Sequence, residues 1–429
     1  MKPTQAPTHP ISRGMRSPVP IVICSSKTLT VMLENRMNVR WDYRFGVPAE
    51  EEQRRKELEA RIEAWWSAFA ERRDAVSDLF GSRASWDLPA WMSDTLQAID
   101  EALMWEYGPA LRTEGHRLVI TPESRRDLRP LVRHVLRAAP ALPGWEFYAH
   151  RLPEPLELAR FTVEGRCGTA TQFSEASVSL GEHNRIDLKF SGPEPLKEDT
   201  AVHEAFVLTE ALLGEEVLDV WVGRIEVQPR PKRGLFRSLA RTTELVPLAD
   251  LRAHVESLIS SIRERQIDMT SLHETEEWSL LELKPEQQAD YTGQEDLFLA
   301  KTPNLPLWEA VHAEGFHDQR FGRAGEIFCY LKVDGSNGLE GSKFADKGEI
   351  EDALDAALQP AGRGRSIGGG TGLRYSYVDL ALQNPAEALP AIRALLSDAK
   401  LPKRSFILFH DCERRSEWVG VYDDTPAPP

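Results

Sequence analysis

The order in which predicted strands and helices follow one another constrains the fold of this chain most strongly. From residue 143 to 228, the hydrophobic patterns predict a strand, a helix, two strands joined at the turn 181–184, a second helix and a final strand. The same order recurs between residues 326 and 422, although the two segments share no sequence repeat. The order βαββαβ is typical of the ferredoxin-like arrangement, in which an antiparallel sheet carries two helices on one face. The sequence therefore predicts two ferredoxin-like units in series.

A mostly helical module precedes these two units. Pro48 and Gly81 delimit a first predicted helix, whose apolar residues recur at steps of three and four. A second helix is predicted from Leu88 to Tyr107, and a third begins after Thr121, which has the features of an N-cap followed by proline. The predicted fold class is accordingly α+β, with a helical N-terminal module followed by two ferredoxin-like (βαββαβ) antiparallel-sheet units.

Changes in composition along the chain predict the segment boundaries. The first residues are rich in Pro, Thr, Ser and Arg, and the stretch Pro229–Pro247 is basic. Residues 270–325 carry weaker patterns, in which Trp278–Leu283 and Leu297–Ala300 are predicted strands. The predicted segments are a disordered tail at 1–18, the mostly helical module at 19–140, a ferredoxin-like unit at 141–229, a basic linker and helix at 230–270, and a C-terminal α+β, ferredoxin-like domain at 271–429.

Charge and hydropathy narrow the classes of function. The 429 residues carry a formal net charge of −15, which argues against binding of nucleic acid or of an anionic membrane by the whole molecule. The N-terminus lacks the apolar core of a secretory signal, and no stretch of about 18 apolar residues occurs. We therefore expect a cytoplasmic protein that has a protein partner and no cofactor. The sequence leaves the oligomeric state open.

The spacing of cysteines and histidines predicts neither a metal site nor a catalytic centre. The four cysteines form no CxxC pair, which predicts free thiols in a reducing compartment; they are Cys24, Cys167, Cys329 and Cys412. His203 lacks a second histidine four residues later, and His312 and His317 have no recognisable partners. His410 and Cys412 would share one face of an extended segment. No orienting group is identifiable for this pair, so we expect a structural role for it.

The segment Arg363–Gly372 is the strongest candidate for a ligand site. Successive glycines can turn backbone N–H groups toward an anion, and two arginines would add positive charge. The candidate anion-binding residues are Arg363, Arg365, Gly369, Gly370, Thr371 and His410. A phosphate-binding loop, however, requires a strand, a loop and then a helix, and the lysine of a Walker motif is missing. We therefore expect the glycines to form a connector between two strands first and a ligand loop only second.

Adjacent tryptophans are the sequence hint of an interaction surface. Trp65 and Trp66 are neighbours in the first predicted helix, and two neighbours cannot both occupy the centre of one apolar stripe. At least one of them is therefore expected at a rim or an interface. Together with Trp418, they are the candidate interface residues.

Two stretches resemble known bacterial sequences. An apolar helix leads into Ala139–Arg151 (APALPGWEFYAHR), and the glycines that end at Gly372 are followed by Tyr375, Tyr377 and Asp379. Both stretches resemble uncharacterised bacterial proteins of the domain-of-unknown-function kind, and together they cover about half of the chain. The resemblance implies a bacterial cytoplasmic setting. Since those families have no assigned activity, it transfers no catalytic residue.

Two hypotheses about function follow. The leading one is a non-enzymatic protein-binding factor of the immunity or regulatory type, which the acidic charge and the candidate tryptophans favour. The alternative is an anion- or nucleotide-binding protein, or an enzyme, that uses the segment 363–372 with His410. A site lined by both Arg363 and Arg365 would favour the alternative, whereas an apolar patch without converging polar groups would favour the first hypothesis.

Overall fold

The structure is a computed structural model, and it describes residues 39–193, 198–230, 244–269, 272, 277–285 and 287–429. The predicted tail at 1–18, Cys24 and most of the predicted basic linker lie outside the described residues. Within these ranges the chain has a mixed α/β fold, in which a long helix comes first and three sheets follow. None of the helices in these ranges is long and apolar enough to cross a membrane.

The N-terminal unit packs three helices against a three-stranded sheet. Its helices are α1 (Ala49–Phe80), α2 (Leu88–Thr95) and α3 (Arg129–Arg137), and its strands are β1 (Met104–Pro109), β2 (His116–Thr121) and β3 (Trp145–Tyr148). β1 is antiparallel to β2, and β2 is parallel to β3. An apolar core between these layers buries one side of α1 together with Met92, Trp105 and Leu118.

Two predictions about this unit are wrong. The second helix ends at Thr95 rather than at Tyr107, because the residues from Met104 onward form β1. Both faces of β1 are buried, so its sequence lacks the alternation that identifies a strand. The second wrong prediction concerns β3, which the sequence assigns to the next unit but which pairs with β2 here. The amide of His116 donates to the carbonyl oxygen of Gly144 at 2.8 Å and starts this pairing.

In its described residues, the central unit has a four-stranded sheet and four α-helices. Its elements are α4 (Leu156–Cys167), β4 (Glu175–Leu180), β5 (Ile186–Gly192), α5 (Glu198–Leu213), α6 (Glu215–Trp221), β6 (Val222–Pro229), β7 (Leu245–Pro247) and α7 (Leu248–Arg265). The strand order is β6-β5-β4-β7, with β4 antiparallel to both neighbours and β5 parallel to β6. The first predicted ferredoxin-like unit is therefore wrong. Its first strand lies in another sheet, and α5 and α6 connect two parallel strands where an antiparallel sheet is expected.

The C-terminal unit is built on a seven-stranded antiparallel sheet. Its elements are β8 (Ser279–Glu282), β9 (Leu297–Thr302), α8 (Leu305–Val311), β10 (Ile327–Asp334), β11 (Ser336–Leu339), α9 (Lys347–Leu358), β12 (Gly364–Gly372), β13 (Tyr375–Leu382), α10 (Pro385–Asp398), β14 (Ser405–Phe409) and β15 (Trp418–Gly420). The strand order is β15-β14-β10-β13-β12-β9-β8, and each pair of neighbours is antiparallel. One face of the sheet packs against α9 and α10 through an apolar core that includes Leu331, Leu380 and Ile407.

The glycine-rich segment is a strand and not a turn. Gly364–Gly372 forms β12 in the interior of the sheet, and the chain reverses only after it. Glycine is required because the neighbouring backbone lies so close: a Cβ at Gly369 would lie 2.2 Å from the carbonyl oxygen of Tyr377. A run of glycines in a sequence usually indicates a turn. Here the glycines lie within a strand, where the absence of side chains allows the adjacent strands to approach closely.

Residues 39–46 join the N-terminal unit to the C-terminal sheet. The carboxylate of Glu417 is buried and accepts hydrogen bonds from the backbone amides of Trp41, Asp42 and Tyr43, at 2.7, 3.2 and 3.1 Å. A single side chain thereby satisfies three backbone donors and holds this segment in place.

We expect Glu417→Ala to lower the free energy of unfolding by about 3 kcal/mol, because it leaves buried amides without an acceptor. Denaturation in urea, followed by tryptophan fluorescence, measures the change. Glu340→Ala removes a carboxylate from an exposed position and should change stability by less than about 0.5 kcal/mol. Equal effects of the two variants would contradict the proposed role of Glu417.

We expect Gly369→Ala to destabilise the protein by about 3 kcal/mol, because the new methyl group would overlap the neighbouring strand at a φ of +134°. Gly165 in α4 is the matched control, since a Cβ there meets no atom within 4 Å. Gly165→Ala should stabilise the protein by up to about 1 kcal/mol through helix propensity. Thermal unfolding of both variants tests the pair, and the same direction of change in both would count against the close strand packing.

Candidate functional site

The predicted anion-binding residues of β12 lie inside the sheet. Gly369, Gly370 and Thr371 pair with β9 on one side and with β13 on the other. Their backbone groups therefore belong to the ladders of the sheet, and they do not form a loop around an anion. His410 follows β14, which is separated from β12 by two strands, so about 14 Å of sheet lies between them. Its Nε2 atom lies 3.8 Å from Oδ1 of Asp379.

The two predicted arginines have separate partners. Nε of Arg363 lies 3.4 Å from Oε2 of Glu387 in α10. Arg365 donates from Nη1 to the carbonyl oxygen of Leu272, which precedes β8. The structure therefore does not gather Arg363, Arg365 and His410 into one site.

The paired tryptophans are core residues. Trp65 and Trp66 are 2% and 3% exposed, and their ring centroids lie 4.3 Å apart in an edge-to-face contact. Nε1 of Trp66 donates to the carbonyl oxygen of Val135 at 2.8 Å. The expectation that one of them lies at an interface is wrong, because α1 is covered over an arc wide enough to bury both. Trp418 is half-buried and stacks on the guanidinium of Arg40, 3.8 Å from the ring centroid.

A buried cluster of His317, Asp411 and Cys412 lies in the C-terminal unit, beside the N-terminal unit. Sγ of Cys412 lies 3.3 Å from Nε2 and 3.9 Å from Nδ1 of His317, and Oδ1 of Asp411 lies 3.8 Å from the same Nδ1. Sequence reasoning pairs Cys412 with the nearby His410 instead. The true neighbour is 95 residues away along the chain, and no local pattern signals a contact at that separation.

Electrostatics keep the thiol of this cluster protonated. Burial, assisted by the negative charge of Asp411, raises the pKa of Cys412 to about 12. Burial also lowers the pKa of His317 to about 3, and the nearby Arg320 adds to that effect. At neutral pH the pair is therefore a thiol beside an uncharged imidazole. The thiolate that nucleophilic catalysis requires is not formed.

The geometry of the cluster agrees with its electrostatics. A sulfur on the lone-pair axis of Nε2 would lie much farther from Nδ1 than from Nε2. The two observed distances are similar, so the sulfur of Cys412 lies beside the imidazole ring of His317. The cluster has the ligand types of a zinc site, but the nitrogen and the sulfur do not point toward one common ion position. The cluster is packed where the C-terminal unit contacts the N-terminal unit.

Lys332 is a second buried ionisable group that sequence reasoning did not single out. It lies on the face of the sheet opposite α9 and α10, where its Nζ donates to the carbonyl oxygen of Tyr291 at 2.5 Å. The same atom lies 4.1 Å from the ring centroid of Tyr375. Burial lowers the pKa of Lys332 to about 8. Because the side chain is completely buried, its hydrogen bond attaches the segment before β9 to the sheet.

The outer strand β8 presents an apolar surface. β8 is the terminal strand at one edge of the seven-stranded sheet, and Trp278 and Leu280 are 48% and 68% exposed. Leu280 pairs across the strands with Lys301, and Nζ of Lys301 lies 5.4 Å from the ring of Trp278. Both apolar side chains therefore lie on one face. We refer to Trp278, Leu280 and the outer backbone of β8 as the β8 edge surface.

We expect Cys412 and Cys329 to resist alkylation in the native protein, because burial raises the pKa of both thiols. Cys167 is half-buried and should react first. Pulsed alkylation with iodoacetamide, followed by peptide mass spectrometry, gives each rate, and guanidinium chloride should make the three rates alike. Alkylation of native Cys412 as fast as Cys167 would contradict the buried state of its thiol.

Comparison of the chain with protein-family models, with curated proteins and with solved structures gives no match.

Proposed function

We propose that this protein is a non-enzymatic protein-binding factor that holds an extended segment of a basic partner on the β8 edge surface. The observation that carries the proposal is the exposure of Trp278 and Leu280 on a terminal strand. Tryptophan is enriched among the residues that contribute most binding energy at protein interfaces. Large apolar side chains on an exposed edge strand also promote aggregation, so proteins usually avoid them unless a partner covers them.

Strand addition is the binding mode that this surface suits. In the described part of the sheet, β8 has a hydrogen-bonded neighbour, β9, on one side only. Alternate amides and carbonyls of β8 therefore point outward, where the backbone of a partner strand can pair with them. Trp278 and Leu280 would contact every second side chain of that strand and thereby select apolar residues.

Charge defines the class of partner. Glu277 and Glu282 flank the two apolar side chains and are exposed, while the exposed Lys284 and the half-buried Lys301 add positive charge beside them. The net charge of −15 on the whole chain is therefore what favours a basic partner. A basic segment would therefore approach this edge faster than an acidic one, and its association rate should fall as salt is added.

The architecture of the C-terminal unit supports this assignment. We propose that β10, α9, β12, β13, α10 and β14 form a ferredoxin-like core, because the strands lie in the order β14-β10-β13-β12. β9 and β8 then extend that core at one side, which leaves β8 as an added outer strand. A bacterial cytoplasmic setting, which rests on the resemblance of Ala139–Arg151 and of the glycine-rich segment, and an immunity-type or regulatory role, which the acidic charge favours, complete the proposal.

Affinity capture with the full chain tests the proposal. We expect a stoichiometric partner to bind the native protein and to bind the double variant Trp278→Ala, Leu280→Lys at least about tenfold more weakly. Phe206→Lys is the matched control, because Phe206 is a 48% exposed aromatic residue in the central unit. Titration of the purified partner, identified by mass spectrometry, gives the affinities. Equal affinity for the double variant and the control, or the absence of any stoichiometric partner, would overturn the proposal.

A further inference from the structure

We propose that Arg126, Arg185 and Arg320 form a binding site for a phosphate group at the place where the three units meet. Arg126 belongs to the N-terminal unit, Arg185 precedes β5 in the central unit, and Arg320 lies in the C-terminal unit before β10. The site is distinct from the β8 edge surface and uses none of its residues. Its occupant would be inorganic phosphate or the terminal phosphate of a small phosphomonoester.

The three guanidinium groups surround one glycine. The carbonyl oxygen of Gly315 accepts hydrogen bonds from Nη2 of Arg185 at 3.2 Å and from Nη2 of Arg320 at 2.5 Å. A Cβ atom at Gly315 would lie 3.0 Å from Nη2 of Arg185 and 3.2 Å from Nη1 of Arg126. Gly315 also has a φ of +67°, which other residues rarely adopt. The absence of a side chain thus allows three cationic groups to come together.

The positive charge of this cluster is not neutralised by the described residues. Arg185 and Arg320 have backbone carbonyl oxygens as hydrogen-bond acceptors there, and neither forms an ion pair. Arg126 has Asp219 at 3.7 Å, but the same carboxylate is held more closely by Arg129 at 2.7 Å. The Nε atoms of Arg126 and Arg320 are buried and have no partner among the described residues.

The nearest acids of the C-terminal unit are already engaged. Glu413 lies 2.6 Å from Arg133, and Asp411 lies 3.5 Å from Arg414 and also accepts from the backbone amides of Asp318 and Glu413. Burial and the neighbouring charge of Arg185 together lower the pKa of Arg320 to about 10, although the carboxylate of Asp411 acts in the opposite direction. The three cations therefore repel one another in a partly desolvated place. An anion between them would relieve that repulsion.

Phosphate fits the donor set better than a carboxylate. Planar guanidinium groups present paired N–H donors that match the oxygens of phosphate, and three such groups match a dianion. Arg320 is 2% exposed and would form the floor of the site, while the side chain of Arg126 is 39% exposed and Arg185 is half-buried. The cluster is thus open to solvent on one side, which suits end-on entry of a terminal phosphate.

A strained turn positions one of the arginines. His183 and Asn184, directly before Arg185, both have positive φ angles, which is unusual for residues other than glycine. Nδ2 of Asn184 donates to the carbonyl oxygen of Arg320 at 3.0 Å. The strain is therefore located where the central unit brings Arg185 against the C-terminal unit, as is common at ligand sites.

Isothermal titration of the full chain with inorganic phosphate, at constant ionic strength set by sodium chloride, tests the proposal. We expect saturable binding to the native protein and at least about tenfold weaker binding to Arg185→Gln. Arg224→Gln is the matched control, since it removes the same charge from a 67% exposed side chain nearby in the central unit. Its affinity should stay within about twofold of the native value. Arg126→Gln provides a second, partly exposed substitution in case Arg185→Gln unfolds, which circular dichroism would reveal.

Titration with phenyl phosphate distinguishes free phosphate from a phosphomonoester as the ligand. Binding as tight as that of inorganic phosphate indicates an esterified ligand, and binding at least about tenfold weaker indicates free phosphate; both outcomes support a phosphate site. Two results would overturn the proposal. One is no saturation by phosphate up to about 10 mM. The other is an equal loss of affinity in Arg185→Gln and Arg224→Gln, which would show a general charge effect.

Discussion

The buried ion pairs of Arg129 determine how the units of this protein fit together. Arg129 is 1% exposed, and its Nη2 atom lies 3.0 Å from Glu215 and 2.7 Å from Asp219 of the central unit. Burial alone raises the pKa of Glu215, but the guanidinium groups of Arg129 and Arg151 outweigh it and leave the pKa lowered. A charge that is buried this deeply is tolerated only when its partner is in place. The N-terminal and central units therefore have one relative position in which the charges match.

The same principle applies at the other junction. Arg40 is completely buried, lies 3.0 Å from Glu51, and donates to the carbonyl oxygen of Trp418 in the C-terminal sheet. Breaking such a pair by removing one partner typically costs about 3–5 kcal/mol, whereas replacing both partners with apolar residues can be neutral. The pairs of Arg129 with Glu215 and Asp219 thus specify how the N-terminal and central units fit together. Arg40 and Glu51 pair on the N-terminal side, and Arg40 reaches the C-terminal sheet through its hydrogen bond to Trp418. The arginines around Gly315 differ from Arg40 and Arg129. Arg185 and Arg320 donate there to backbone carbonyl oxygens, and no described carboxylate is close enough to pair with either of them.

The sequence predicts what local patterns encode and misses what distant residues decide. The periodicity after Pro48 predicts the long N-terminal helix, and the alternation of predicted strands and helices predicts a mixed α/β fold. The structure confirms both. The sequence predicts β3 as a strand but places it in the wrong sheet, because its parallel partner β2 lies about 30 residues earlier in the chain. The glycines of β12 indicate a turn locally, and only the neighbouring strands show why they are needed.

The candidate site shows the same limit. Trp278 and Leu280 lie in a stretch that the sequence predicts to be a strand, yet its place at the edge of the sheet depends on the whole strand order. The contact between Cys412 and His317 joins residues far apart in the chain. Arg126, Arg185 and Arg320 come from three different units, so no spacing rule could connect them.

We expect the buried charges at the junctions to make the three units one cooperative structure. Differential scanning calorimetry of the full chain at low and moderate salt tests this most directly. We expect one transition whose van't Hoff enthalpy equals the calorimetric enthalpy, because separation of any unit would leave charged side chains without their partners. Two or more resolved transitions in the native protein would contradict it, since they would show that the units unfold independently.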